Sequence, residues 1–312
     1  MEEKATRAGY GEAVLEAGIN NKDVVVLSAD VTASTSSHLF QNKFPERFFN
    51  VGVAEQDLIG MAAGLALMGK IPYAAAYSLF ITGRPWDQIR NTVCYSNLNV
   101  KIVGTHSGLL VGPDGATHQA LEDIAIMRPI PNLKIIVPCD YIESKKATLK
   151  LADDFGPCFL RLGRVATPVI TKDDTPFIIG KMNIMREGSD AAIFACGSMV
   201  YEALQAAEIL EHENIKAAVI NVHTIKPLDT ETIIKYADKT GAVVTVEEHQ
   251  LAGGLGSAVS EVLAKNSPKP VEMVGVNDKY GQSGPPKELL KEFGLTNEFI
   301  VKAVKKALQR KE

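Results

Sequence analysis

The sequence predicts an α/β protein with two domains, each a mostly parallel sheet flanked by helices. Short apolar runs, the candidate strands, alternate with longer helical patterns along the whole chain, which is how βαβ units read. The alternation implies parallel sheets covered on both faces. One stretch, VATPVITKDDTPFIIGKMNIMREGSD, has no clear period, mixes charges and carries two prolines, so it reads as a connection. The expected division is a first domain over 1–170, a linker over 171–184 and a second domain over 185–312.

In chain order, strands are expected at Val24–Leu27, Tyr73–Ala76, Val100–Gly104, Lys134–Pro138, Cys158–Arg161, Ala191–Ala195, Ala217–Asn221, Ala242–Glu247 and Val271–Gly275. Val51–Val53 reads as a strand end. Helices are expected at Ala8–Ala17, Asp57–Met68, Trp86–Cys94, Tyr141–Asp153, Tyr201–His212, Thr230–Tyr236, Ser257–Ala264 and Pro286–Phe293.

Composition narrows the function classes. The 312 residues carry a net charge of −4 with a pI near 5.9, and no basic cluster points to nucleic acid or an anionic membrane. The opening MEEKATRAGYGEAV is charged and reads as no secretory leader. Leu58–Gly69 is too short and too rich in glycine to span a bilayer. It reads as a helix buried in the protein or at a subunit contact. Cys94, Cys139, Cys158 and Cys196 are scattered in apolar settings without CxxC spacing, as reduced core thiols of a cytoplasmic protein are.

Four segments of the first half bear chemistry: VLSADVTASTS with Asp30 and Ser34, VGVAEQDL with Glu55, AYSLFITGRPWDQIR with Tyr77, Phe80 and Trp86, and THSGLLVGPDGATHQALED with His106, Asp114 and His118. Each begins at a strand's carboxyl end, where open parallel sheets bind ligands, so the four are expected on one rim. Glu55 has two readings. It is an acidic residue favoured by a helix dipole, or a partly desolvated carboxyl kept neutral so that it donates to a basic ring nitrogen. Tyr77 and Phe80 are core residues or a stacking platform. His106 and His118 flank a glycine-rich loop and suit oxyanion binding or proton transfer. A metal held by His106, Asp114 and His118 is the alternative, although HQALE is not HExxH. In the second half, LAGGLGSAV is a partial GxGxxG with Val259 at the last position, read as a tight strand-to-helix turn.

Together and in order, these segments resemble the C-terminal portion of transketolase, from about Ala5 onward and most strongly over Val51–Arg164. The resemblance implies a pyrimidine-binding domain followed by the transketolase C-terminal domain. The GDG motif of the family's diphosphate-binding domain is absent. The chain therefore looks like the small subunit of a split transketolase. It would use thiamine diphosphate with Mg²⁺ or Ca²⁺, whose ligands would lie on a separate diphosphate-binding chain. Two copies of each subunit would form a heterotetramer.

By the same resemblance, Glu55 contacts the cofactor's aminopyrimidine and stabilises its imino form. Tyr77 and Phe80 wall the ring, with Gly83 where the family often has a third aromatic, and Asp30 lies near the cofactor. His118 binds the substrate's carbonyl and hydroxyls, and Asp114 faces the acceptor's hydroxyl. Arg7, Ser34, His106 and Arg164 bind a sugar phosphate, a task that suits guanidinium groups. Arg161 is expected to assist from the strand Cys158–Arg161. Deoxyxylulose phosphate synthase and the β subunit of 2-oxo acid dehydrogenase E1 share parts of the pattern. THSG in place of DRAG argues against the first. A non-catalytic scaffold subunit is the remaining alternative.

Overall fold

The computed structural model describes residues 1–311. The first half runs β1 (Glu3–Ala5), α1 (Thr6–Asn20), β2 (Val24–Ser28), α2 (His38–Lys43), β3 (Phe48–Asn50), α3 (Glu55–Leu67), β4 (Ile71–Tyr77), α4 (Ser78–Gly83), β5 (Lys101–Thr105), α5 (Asp123–Met127), β6 (Lys134–Ile136), α6 (Tyr141–Asp153) and β7 (Cys158–Arg161). The second half runs β8 (Ala166–Pro168), β9 (Asn183–Arg186), β10 (Ala191–Ala195), α7 (Met199–His212), β11 (Ala217–Asn221), β12 (Thr224–Lys226), α8 (Thr230–Thr240), β13 (Val243–Gln250), α9 (Leu255–Asn266), β14 (Val271–Val276), α10 (Pro286–Glu292) and α11 (Asn297–Gln309). A π-helical segment, Gln88–Tyr95, lies between α4 and β5.

The fold is two-domain α/β, as the alternation predicts. One sheet has the order β12-β6-β7-β5-β4-β2-β3 and is parallel except for β12. The other has the order β14-β13-β10-β11-β9 and is parallel except for β9. The central strands β2, β5, β7, β10 and β11 are buried along their whole length. That accounts for their continuous apolar reading.

The structure departs from the expected elements where local pattern is thin. β1, β3, β8, β9 and β12 have three or four residues each and lie at edges, too short to show a period. Val51–Val53 lies past the end of β3 rather than in a strand. α11 is missing from the expected helices, although its buried Ile300, Val301, Val304 and Ala307 keep helical spacing.

The two halves are stitched together. β12, from the second half, adds antiparallel to β6 and so extends the first sheet. The start of the connection is fixed by Asp140, whose carboxylate accepts hydrogen bonds from the backbone N–H of Ile170, at 2.8 Å, and of Thr171. β1 pairs with β8, and this brings the start of α1 beside the chain leaving β7.

Candidate active site

Five strand ends set the rim. Across the sheet the order is Arg164 beyond β7, His106 beyond β5, Tyr77 ending β4, Asp30 beyond β2 and Glu55 beyond β3. From β2 the chain steps outward to β3 and then back across to β4. The crevice is therefore a switch point, where such sheets bind ligands.

At one end of the rim stands a cationic cluster. Gly163 N–H donates to Thr6 Oγ1 at 2.8 Å and seats Arg7, in the first turn of α1, against Arg164. Arg7 Nε donates to the Arg164 carbonyl at 3.0 Å, and Nη1 donates to the Ser34 carbonyl. Arg7 has no carboxylate within ion-pair distance among the described residues, while Arg164 faces Asp114 at 3.4 Å and donates to the Val111 carbonyl at 2.6 Å. Burial, and then the neighbouring Arg164 charge, lower the Arg7 pKa from its ordinary value. His106 is buried, takes φ +58° and lies against Tyr77 with ring centroids 4.1 Å apart. A non-glycine residue held at that φ is a strained feature of the kind found at binding sites. Burial first, and then Arg7 and Arg164, push the His106 pKa down to about 3, so its imidazole is neutral. Unbalanced positive charge beside a neutral ring nitrogen suits a tetrahedral oxyanion.

Next comes the glycine-rich loop. Gly112 and Gly115 take φ of +77° and +73°, values that strain residues with a Cβ. Gln119 Nε2 braces the loop by donating to the Leu109 carbonyl at 3.1 Å and to the Gln282 carbonyl of the second half at 3.0 Å. His118 is half-buried and meets Phe80 edge-on, centroids 5.2 Å apart. Tyr77 and Phe80 form a tilted pair at 6.3 Å. Asp30 is exposed, at φ +61°, and is held by two hydrogen bonds with Asn50, each 3.0 Å.

Glu55 is the first residue of α3 and only 4% exposed. Its surroundings differ from the apolar pocket expected for a neutral carboxyl. Both oxygens accept from Arg84 Nη1, at 3.0 and 2.9 Å, and the Arg84 guanidinium carbon lies 4.1 Å from the Phe80 ring centroid. Arg84 escaped the reading of the sequence, although it follows Phe80 by four residues, the spacing of neighbours on one helix face.

Arg161 departs from its expected place at the phosphate site. It does not reach the cationic cluster. It is buried, its Nε donates to Asp123 at 2.8 Å, and its Nη2 donates to the carbonyls of Ala120 and Glu248 at 3.1 and 3.0 Å. A carboxylate buried beside it holds it in the domain interface. Among the described residues, no group of three or more His, Cys, Asp or Glu is arranged to hold a metal ion. His106, Asp114 and His118 therefore make no metal cluster.

The partial glycine motif forms the tight turn expected. The Glu247 carboxylate accepts from the N–H groups of Leu255 and Gly256, at 2.7 and 2.8 Å, and so fills the N-terminus of α9 itself. A Cβ on Gly254 would overlap that carboxylate. Burial raises the Glu247 pKa to about 7.

Both halves of the chain match known families. Residues 2–169 match "Transketolase, pyrimidine binding domain", and residues 180–300 match "Transketolase, C-terminal domain". The chain belongs to the transketolase family. It is 48% identical, over 98% of its own length and 97% of the other, to a chain of Methanocaldococcus jannaschii provisionally named a transketolase C-terminal section. It is 42% identical, over 100% and 97%, to a 6-deoxy-6-sulfo-D-fructose transketolase subunit of a Clostridium species. A solved structure described as a split gene transketolase, inactive beta4 tetramer, superposes with a TM-score of 0.93 at 47% identity over 99% of both chains. As a transketolase chain it carries the pyrimidine-binding and C-terminal domains in the arrangement of split-transketolase C-terminal subunits.

Proposed function

We propose that the chain is the small subunit of a thiamine diphosphate-dependent transketolase. The enzyme moves a two-carbon ketol unit from a ketose phosphate to an aldose phosphate, as in pentose phosphate conversion. A separate diphosphate-binding chain completes the site and brings the ligands for Mg²⁺ or Ca²⁺, within a cytoplasmic heterotetramer of two large and two small subunits. The observation that carries this reading is the rim itself: a buried Glu55 beside Phe80 at one end, and Arg7, Arg164 and neutral His106 at the other. The Glu55 seat already accepts from a planar N–H donor lying on Phe80, so it fits an aminopyrimidine protonated at its ring nitrogen.

When bound, the cofactor supplies the carbanion chemistry of ketol transfer. The chain's own residues orient and bind. Glu55 holds a proton at the aminopyrimidine ring nitrogen, and Tyr77 and Phe80 hold the ring plane. His118, set edge-on beside them, donates to the substrate's carbonyl and hydroxyl oxygens, and Asp114 accepts from the acceptor's hydroxyl. Arg7, Arg164 and His106, with Ser34 at the margin, fix the terminal oxyanion about a rim's width away.

Assembly has its own support. On α3, Gly60, Met61 and Gly64 are exposed, and Val53, Leu67 and Met68 beside them are 70, 71 and 79% exposed. Added Cβ atoms at Gly60 and Gly64 would meet nothing within 4 Å. A small-residue ridge set in an apolar face lets a second backbone approach closely and marks a contact between copies of this chain or with the large subunit. The test is reconstitution with a diphosphate-binding chain and ketol-transfer assay. Activity is expected only in the mixture, and Glu55→Ala is expected to slow exchange of the cofactor's C2 proton about 10²–10⁴-fold. Exchange at the unaltered rate removes Glu55 from its role.

A further inference from the structure

Arg84 makes both contacts that the aminopyrimidine, protonated at its ring nitrogen, is expected to make. Its guanidinium is flat, carries N–H donors, binds both oxygens of Glu55 and lies 4.1 Å from the centroid of the Phe80 ring. We propose that Arg84 is a self-ligand: in the free chain it occupies the pyrimidine seat, and it must swing out for the cofactor to dock. This rests on the reading of Glu55 as the pyrimidine contact.

Three further features fit a displaceable occupant. The Arg84 side chain is 48% exposed while Glu55 is 5% exposed, so the cation enters the seat from solvent and has somewhere to go. The residue before it is Gly83, which is exposed and has nothing within 4 Å of an added Cβ. The seat is thus open on the side where the family often has a third aromatic, and the guanidinium takes the free space over Phe80. Gln56 Nε2 donates to the Arg84 backbone carbonyl at 3.2 Å. The backbone is therefore anchored by a contact that does not involve the guanidinium, and the side chain can rotate away without moving α4.

The arrangement has two consequences. In a subunit without its partner, Glu55 keeps a counter-charge in place of an unpaired buried carboxylate, which would cost free energy. Cofactor binding then competes with an internal ligand, and the apparent affinity falls by the fraction of time that the seat is filled. Removing the guanidinium therefore raises affinity, although it also removes a positive charge near an anionic ligand.

The test is titration of the full chain, without partner, with thiamine diphosphate, followed by ligand-observed NMR and by emission of Trp86, the one tryptophan, two residues from Arg84. Arg84→Ala is expected to bind at least about tenfold more tightly than the natural chain. Arg90→Ala is the charge-matched control: Arg90 is exposed and donates to Asn91, and its loss is expected to leave affinity unchanged or slightly weaker. Equal or weaker binding by Arg84→Ala overturns the self-ligand. If the reconstituted enzyme still binds thiamine diphosphate in a Glu55-dependent way, only the self-ligand falls. If the reconstituted enzyme binds none, the reading of the seat falls with it.

Discussion

The chain contains two sheets of similar winding, and their crevices have opposite fates. The seven-stranded sheet reverses its order between β2 and β4, and the five-stranded one between β10 and β13. At the first reversal the rim is open and lined by Asp30, Glu55, Tyr77 and Phe80. At the second, the first domain fills the space. Glu248 at the end of β13 accepts from Leu110 N–H at 2.6 Å and from Ser198 Oγ at 2.9 Å, and Arg161 reaches the Glu248 carbonyl. Beside Glu248 a gap of about 30 Å³ is left, enough for water only, and a wider cleft of about 750 Å³ opens next to it between Leu110, Val165, Ser198 and Glu202. A switch point is thus a place for a ligand, and a neighbouring domain can be that ligand.

Arg161 and Arg164 sharpen the contrast. They leave the same strand three residues apart, yet one closes the second crevice and the other lines the first. The largest expected effect is on the closed side. Arg161→Ala leaves Asp123 a buried carboxylate without its partner and is expected to destabilise the chain by about 3–5 kcal/mol, measured by chemical denaturation. A loss below about 1 kcal/mol would show that the domain interface does not depend on this pair.

Arg164→Ala lies on the open side, where the side chain is one-third exposed and its carboxylate pair is long. Its effect on stability is expected to stay within about 0.5 kcal/mol, while KM for phosphorylated substrates rises roughly tenfold or more and kcat holds, the pattern of lost uniform binding. An equal rise for an unphosphorylated substrate would take Arg164 out of the anion site and blur the distinction between the two arginines.

The last expected effect comes from pH. The folded chain depresses His106 to about 3 and His249 to about 4, in both cases chiefly by burial. A depressed histidine is neutral in the folded state and takes up its proton more readily when unfolded. Stability is therefore full above the unfolded value of about 6.5 and declines as pH falls from there toward 4 and 3. His106→Asn is expected to flatten that decline along its whole length from about 6.5 down to about 3, read from thermal unfolding at stepped pH. An unchanged slope would mean that the open rim does not hold His106 neutral.

Much of this was legible in the residues. The long central strands declare themselves because burial on both faces demands continuous apolar runs. The rim residues declare themselves because strand ends in a parallel sheet point one way. Asp30, Glu55, His106 and Arg164 follow such ends and Tyr77 closes one, and the structure brings them to one rim. The short edge strands were not legible, since three residues carry no period and pair only because a partner strand is there.

What the sequence by itself determined is the fold class, the alternation that builds it and the set of polar residues placed at the strand ends of the first sheet. The tertiary structure alone decided which crevice stays open, that Arg161 turns inward to Asp123, and that Arg84 lies across Glu55 and Phe80. The physical reason is the same in each case. A charged side chain goes where a counter-charge and the local burial make it most stable, and its partners here lie 29 residues away for Arg84 and 38 for Arg161, beyond the reach of any local pattern.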